Sequence, residues 1–95
     1  MNQPSRFRFR LGEIVATRGA DALLRAQNLH PVRLLTRHLA CDWGEVDAED
    51  AQANEAALET GGRLLSVYTV AGVKLFVITE AEPRVVTTIL LADEY

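Results

Sequence analysis

Three β-rich runs follow one another in the last third of the chain, and they restrict the fold more than any other feature. They read RLLSVYTV from Arg63, VKLFVIT from Val73 and RVVTTILL from Arg84. Valine, isoleucine, threonine and tyrosine suit a pleated, half-buried surface. Ala71-Gly72 separates the first two runs, and its glycine accepts the positive φ of a two-residue hairpin turn. Residues 80–83 link the second run to the third. Residues 62–91 are therefore expected to form an antiparallel meander. The middle run is apolar on both faces, Leu75 and Val77 on one, Phe76 and Ile78 on the other. That pattern belongs to a central strand covered on at least one side by helices.

The covering helices must come from residues before Gly62. Residues 1–6 are expected to be a flexible tail. Phe7, Phe9 and Leu11 then alternate with Arg8 and Arg10, the period of a half-buried strand. Arg6, Arg8 and Arg10 would share one face, read as a charged edge that resists pairing rather than as a site for an anionic partner. Glu13 to Thr17 either extends that strand past Gly12 or forms a short one of its own. Thr17 has the chemistry of a helix N-cap, and Asp21 suits the first turn. Leu23 and Leu24 give this first helix a short apolar face, and Asn28 is a left-handed terminator. A second helix starts at Pro31, with Val32, Leu35 and Leu39 on its apolar stripe and Arg33 and Arg37 pointing away. CDWGEVDAED is a loop in which Gly44 breaks the helix and Asp47 caps the next. The third helix has a thin apolar face of Ala51, Ala57 and Leu58, and Gly61 and Gly62 stop it. The expectation is one α+β domain over residues 1–95: an N-terminal strand, three short helices, then a three-stranded antiparallel meander packed on the helices.

Charge narrows the partners. With 95 residues, a net charge of −3 and a pI near 5.3, the chain lacks the basic balance of a nucleic-acid binder, so nucleic acid is not expected as a direct ligand. A basic protein surface is the more natural partner. The single cysteine, Cys41, rules out an internal disulfide. No apolar run approaches a membrane span, and MNQPSRFRFR lacks the apolar centre of a secretory signal, so the expected location is the reduced cytoplasm, with no membrane partner.

The chemistry-bearing residues are sparse. His30 and His38 are the only histidines. His38, Cys41 and Asp42 make an incomplete metal set, so no metal or cofactor is expected. Cys41 with His38 as base lacks any cysteine-enzyme signature, and a small buried hydrophobe is the simpler role. Glu80 and Glu82 have the spacing of an acid–base pair, but turns are rich in exposed carboxylates. Trp43 is read first as the anchor of its loop, with an interface role as the alternative. Glu45, Asp47, Glu49, Asp50, Glu55 and Glu59 place six carboxylates in fifteen residues with no Lys or Arg among them. They are either a solvated face or a docking surface for a basic partner. The expected binding residues are Trp43, Glu45, Asp47, Glu49, Asp50 and Glu80.

Four stretches carry a resemblance: LGEIVATRGA, RHLACDWGEV, GRLLSVYTV and VITEAEPRVVTTILLADEY. Together they resemble a family of short proteins carried on bacterial plasmids and integrative elements, commonly labelled plasmid-related protein or type I restriction subunit M. The second label does not suit 95 residues, which hold no cofactor-binding methyltransferase domain. Asp42-Trp43-Gly44 keeps a family element, and Ala92-Asp93-Glu94-Tyr95 is similar to its Pro-Glu-Glu-Tyr end. Thr17-Arg18-Gly19 stands where the family has Thr-Pro-Gly. Glu80 to Arg84 departs most, since the family's Asp-Arg-Ser element is lost or displaced there. The resemblance implies a mobile-element accessory protein that binds a macromolecular partner, an inhibitor of a host defence system being one form. Pairing with a second copy stays open. Helices followed by an antiparallel sheet are also similar to barnase and RelE-like ribonucleases, for which His38, Arg63, Thr79, Thr87 and Thr88 would be the catalytic candidates.

Overall fold

A computed structural model describes residues 7–95; the expected tail at residues 1–6, and Arg6 with it, lies outside the described residues. The order of elements is β1 (Glu13–Ala16), α1 (Arg18–Ala26), α2 (Val32–Leu39), α3 (Ala48–Thr60), β2 (Leu64–Val70), β3 (Val73–Thr79), β4 (Val86–Leu91) and a closing 3₁₀ turn, Ala92–Glu94. The fold is α+β, three helices on a four-stranded mixed sheet of order β1-β4-β3-β2.

The meander forms as its turns dictate. Ala71 (φ 51°) and Gly72 (φ 77°) make a turn with both central residues left-handed, which matches the twist of the strands it joins. In β2–β3 Tyr68 lies opposite Leu75, and in β3–β4 Val77 lies opposite Ile89. β3 is the strand paired on both sides within the meander, as its two-sided apolar pattern requires.

The N-terminal strand is present but displaced. Phe7 to Leu11 is irregular, and pairing starts at Glu13. β1 runs parallel to β4, Ile14 beside Thr87 and Ala16 beside Ile89, so the sheet is mixed rather than a separate strand and meander. The alternation in residues 7–11 serves another purpose. Phe9 turns inward against His38 and Trp43, while Arg8 reaches Glu55 and Glu59 on α3, each at 3.4 Å.

Local caps follow the side-chain chemistry. Thr17 Oγ1 accepts from the Ala20 amide at 3.1 Å, and Asp47 Oδ1 accepts from the Asp50 amide at 2.7 Å. Asn28 (φ 52°) follows α1 in the left-handed region, and Gly61 (φ 85°) ends α3. Pro31 is the N-cap of α2 rather than its first residue. That helix ends at Leu39, with the reversal at Cys41 (φ 61°), so Gly44 is not what breaks it. Gly44 instead forms a bridge with Val67, and a Cβ there would collide with the Val67 carbonyl.

The inner face of the sheet carries the core. Ala20, Leu24, Leu34 and Leu35 pack from α1 and α2 onto Tyr68, Leu75, Val77 and Ile89. Trp43, Ala57 and Leu64 form a second cluster under α3, with Phe9, Cys41, Ala51 and Leu58 against it. The stripe of α2 is rotated from the expected one: Leu34, Leu35 and His38 are buried, while Val32 is 51% exposed. Among the described residues, no helix is long and apolar enough to cross a membrane.

Candidate functional site

The period of two along each strand decides which polar groups meet. Ser66 on β2, Thr79 on β3 and Thr87 on β4 all point to the inner face, and α2 lowers His38 onto them. All four are fully buried. His38 Nδ1 lies 2.6 Å from Ser66 Oγ, and His38 Nε2 lies 2.9 Å from Thr79 Oγ1. Thr79 Oγ1 is 2.6 Å from Thr87 Oγ1, and the Thr87 hydroxyl donates to the Leu11 carbonyl at 2.7 Å.

That last bond orients the whole chain of groups. A carbonyl only accepts, so the Thr87 proton goes to Leu11. Thr87 then accepts from Thr79, and Thr79 accepts from the Nε2–H of His38. Nδ1 is left to accept from Ser66. The arrangement requires a proton on Nε2, and in the neutral ring Nδ1 is the acceptor. Electrostatics agree: burial pushes the His38 pKa down from 6.5 to about 4, and the nearby Arg84 guanidinium adds to the shift. Phe9 and Trp43 close the ring edge-on, with centroids 5.2 and 5.8 Å from the imidazole. The Trp43 indole N–H donates to Glu55 at 3.1 Å.

Arg84 holds the neighbouring corner. It follows the cis Glu82–Pro83 peptide, has φ 55°, and is 2% exposed. Its guanidinium donates to the Gly62 carbonyl at 2.8 Å, the Ala57 carbonyl at 3.1 Å and the Glu80 carbonyl at 3.2 Å, and it pairs with Glu82 at 3.1 Å. One side chain thus ties the C-terminal end of α3 to the β3–β4 link, where a cationic donor suits the negative end of the helix dipole. The link runs over residues 80–85 and so takes in Arg84 and Val85, which were expected to begin the third strand; that strand starts at Val86.

The other candidates separate. Arg63 is exposed, donates to the Tyr95 hydroxyl at 2.6 Å and stands over the Tyr95 ring. That ring packs edge-on against Phe76, on the sheet face opposite His38, so Arg63 is not brought to the histidine. Thr88 alternates with Thr87 and also lies on the outer face. Trp43 is 7% exposed and anchors its loop from inside. Glu45, Asp47, Glu49 and Asp50 are exposed around the start of α3, and Glu80 is half-buried. Thr69 Oγ1 donates to Glu45. Glu82 turns to Arg84, so Glu80 and Glu82 do not converge as an acid–base pair. Both imidazole nitrogens of His38 are engaged, Asp42 accepts from Arg37 at 2.7 Å, and burial raises the Cys41 thiol pKa. No metal-competent group of side chains exists among the described residues.

Ser66, Asn54 and Arg84 were not singled out by sequence reasoning. Ser66 had a signal, since it alternates in phase with the buried Leu64 and Tyr68. Asn54 had a weaker one, a polar residue one turn from Ala57 and Leu58. It brackets the outer edge of β2, accepting from the Leu65 amide at 3.0 Å and donating to the Leu65 carbonyl at 2.7 Å. Arg84 had none, because its partners are main-chain carbonyls from three separate segments.

Compared with protein-family models, with curated proteins and with solved structures, the chain finds no match, so its function is argued from the geometry above.

Proposed function

We propose that this chain is a non-catalytic binding protein, a mobile-element accessory factor that docks a basic protein partner through the exposed carboxylates around the start of α3. Inhibition of a host defence system is one form such an activity takes. A contrast in access carries the reading. His38, Thr79 and Thr87, the groups a ribonuclease would need, are wholly buried and spend their hydrogen bonds on one another. Glu45, Asp47, Glu49 and Asp50 stand in solvent, and Glu49 and Asp50 have no cationic partner among the described residues. Exposed charge of one sign steers and orients an oppositely charged partner.

The test joins capture with charge reversal. Tagged protein incubated with lysate of the host should retain a basic protein, identified by mass spectrometry. The double variant Glu49→Lys/Asp50→Lys should lose it through charge reversal while keeping the start of α3, because the Asp50 amide that Asp47 caps is backbone and survives. Added RNA should remain intact. RNA cleavage that disappears in His38→Ala, or capture indifferent to the charge reversal, defeats the proposal.

A further inference from the structure

A second surface opens between α2 and the far end of β2. It is a groove of about 470 Å³ whose walls include Leu29, Leu34 and Val70, with Arg33, Arg37 and Thr69 at the rim. That volume lies in the range of natural ligand sites. Three independent features converge on it.

The first is charge. α2 contains Arg33 and Arg37 and no acidic residue. Arg37 is stacked 4.4 Å above the Tyr68 ring and pinned by Asp42 at 2.7 Å, so its guanidinium is fixed in place. Asp42 offsets Arg37 and Glu45 lies against the Thr69 hydroxyl, so the uncompensated cation is Arg33, which is exposed and has no ion-pair partner among the described residues. The second is the apolar lining, which would bury aliphatic parts of an occupant. The third is an open rung of the sheet. Val70 and Val73 flank the hairpin turn as a hydrogen-bonded pair, so Leu65, Val67 and Thr69 aim their amides and carbonyls away from β3. Asn54 takes those of Leu65. The Trp43 carbonyl and the Glu45 amide take those of Val67. The Thr69 amide and carbonyl have no partner among the described residues.

We infer that this groove binds an extended acidic peptide segment of a partner protein, which adds one backbone rung at Thr69, rests aliphatic side chains on Leu29, Leu34 and Val70, and places a carboxylate on Arg33. Backbone pairing supplies affinity and the flanking side chains supply selection, as in other strand-addition interfaces. The groove adjoins the acidic surface at Thr69, whose hydroxyl donates to Glu45, but charge reversal at Glu49 and Asp50 leaves Arg33 and the Thr69 backbone in place, so the two tests fail separately.

The probe is a fluorescent twelve-residue peptide alternating Glu with Val, beside a counterpart with Lys for each Glu. The acidic peptide should bind saturably and move the Thr69 and Val70 amide resonances of the full chain. Arg33→Glu, an exposed change on α2, should weaken binding by about tenfold or more, the order expected when a rim charge is reversed. Thr69→Pro, which removes an outward-facing amide on an edge strand together with the hydroxyl bonded to Glu45, should weaken it as well, whereas Thr69→Val, which removes the hydroxyl and keeps the amide, should not. Binding of the Lys peptide with equal strength, retention of affinity in Arg33→Glu, or saturation without movement of the Thr69 and Val70 signals overturns the inference. Absence of saturable binding by the acidic peptide overturns it too.

Discussion

The inner face of the sheet has two halves built on opposite rules. At one end Leu24, Leu34, Leu75, Val77 and Ile89 pack as an apolar cluster. At the other, His38, Ser66, Thr79 and Thr87 fill the same layer with a line of hydrogen bonds, and Arg84 closes the corner. The apolar half is held by area and fit, which degrade gradually. The polar half is held by saturation: no buried side-chain nitrogen or oxygen among the described residues lacks a partner. Removing one member leaves another buried and unpaired, a larger penalty than the bond itself contributed. Two regions of similar burial should therefore answer substitution very differently.

The strongest way to break the polar half is through Arg84. Arg84→Ala orphans the carbonyls of Gly62 and Glu80, leaves that of Ala57 with the Gly61 amide alone, and opens a cavity beside Phe9. A loss of about 4 kcal/mol is expected, the scale for removing one side of a buried charged contact. Urea unfolding followed by Trp43 fluorescence measures it, and a loss near 1 kcal/mol would show that water replaces the guanidinium freely.

Acid attacks the same half without mutation. His38 stays neutral in the folded chain down to about pH 4, whereas the unfolded chain takes up the proton near 6.5. Between those values the unfolded state binds more protons, so stability falls as pH falls, and the loss is complete below the folded pKa. The shift corresponds to about 3 kcal/mol. Stability measured from pH 7.5 to pH 4 should show this slope, and His38→Gln should remove it whatever that variant's absolute stability. A wild-type profile flat over the window contradicts the neutral Nε2–H assignment.

The smallest and sharpest comparison uses two substitutions that conserve volume. Thr87→Val keeps shape but strips the donor to Leu11 and the acceptor for Thr79, and should cost about 2 kcal/mol. Leu75→Met, equally buried in the apolar half, should cost about 1 kcal/mol. Equal costs would mean that the two halves obey one rule after all.

What the sequence disclosed follows the same division. The Ala71-Gly72 hairpin, the Thr17 and Asp47 caps and the left-handed Asn28 were legible because each depends on chemistry within four residues. The rotation of α2 was not. Val32, Leu35 and Leu39 make as good a stripe as Leu34, Leu35 and His38, and a histidine at a core position hides the true one until its partners on the sheet are known. The parallel pairing of β1 with β4 was equally hidden, since a four-residue strand records nothing of its neighbour. For the candidate site, residue identities were partly visible and their burial was not. His38, Thr79 and Thr87 stood out as reactive types, yet the strand phase that seals them inside needs the register of three strands.

The parallel β1–β4 pair also sets a timetable. Thr87 and Leu11, joined by one hydrogen bond, are 76 residues apart in the chain. On a ribosome adding about 5–20 residues per second, Leu11 waits on the order of 4–15 s for that partner. Until then β1 has no strand to lie against, because β4 separates it from β3. The β2–β3 hairpin joins neighbouring segments and can close as soon as Thr79 is made, but the first strand is a guest without a seat through most of translation. Exposed Ile14 and Val15 make that interval the one in which a nascent chain would lean on a chaperone.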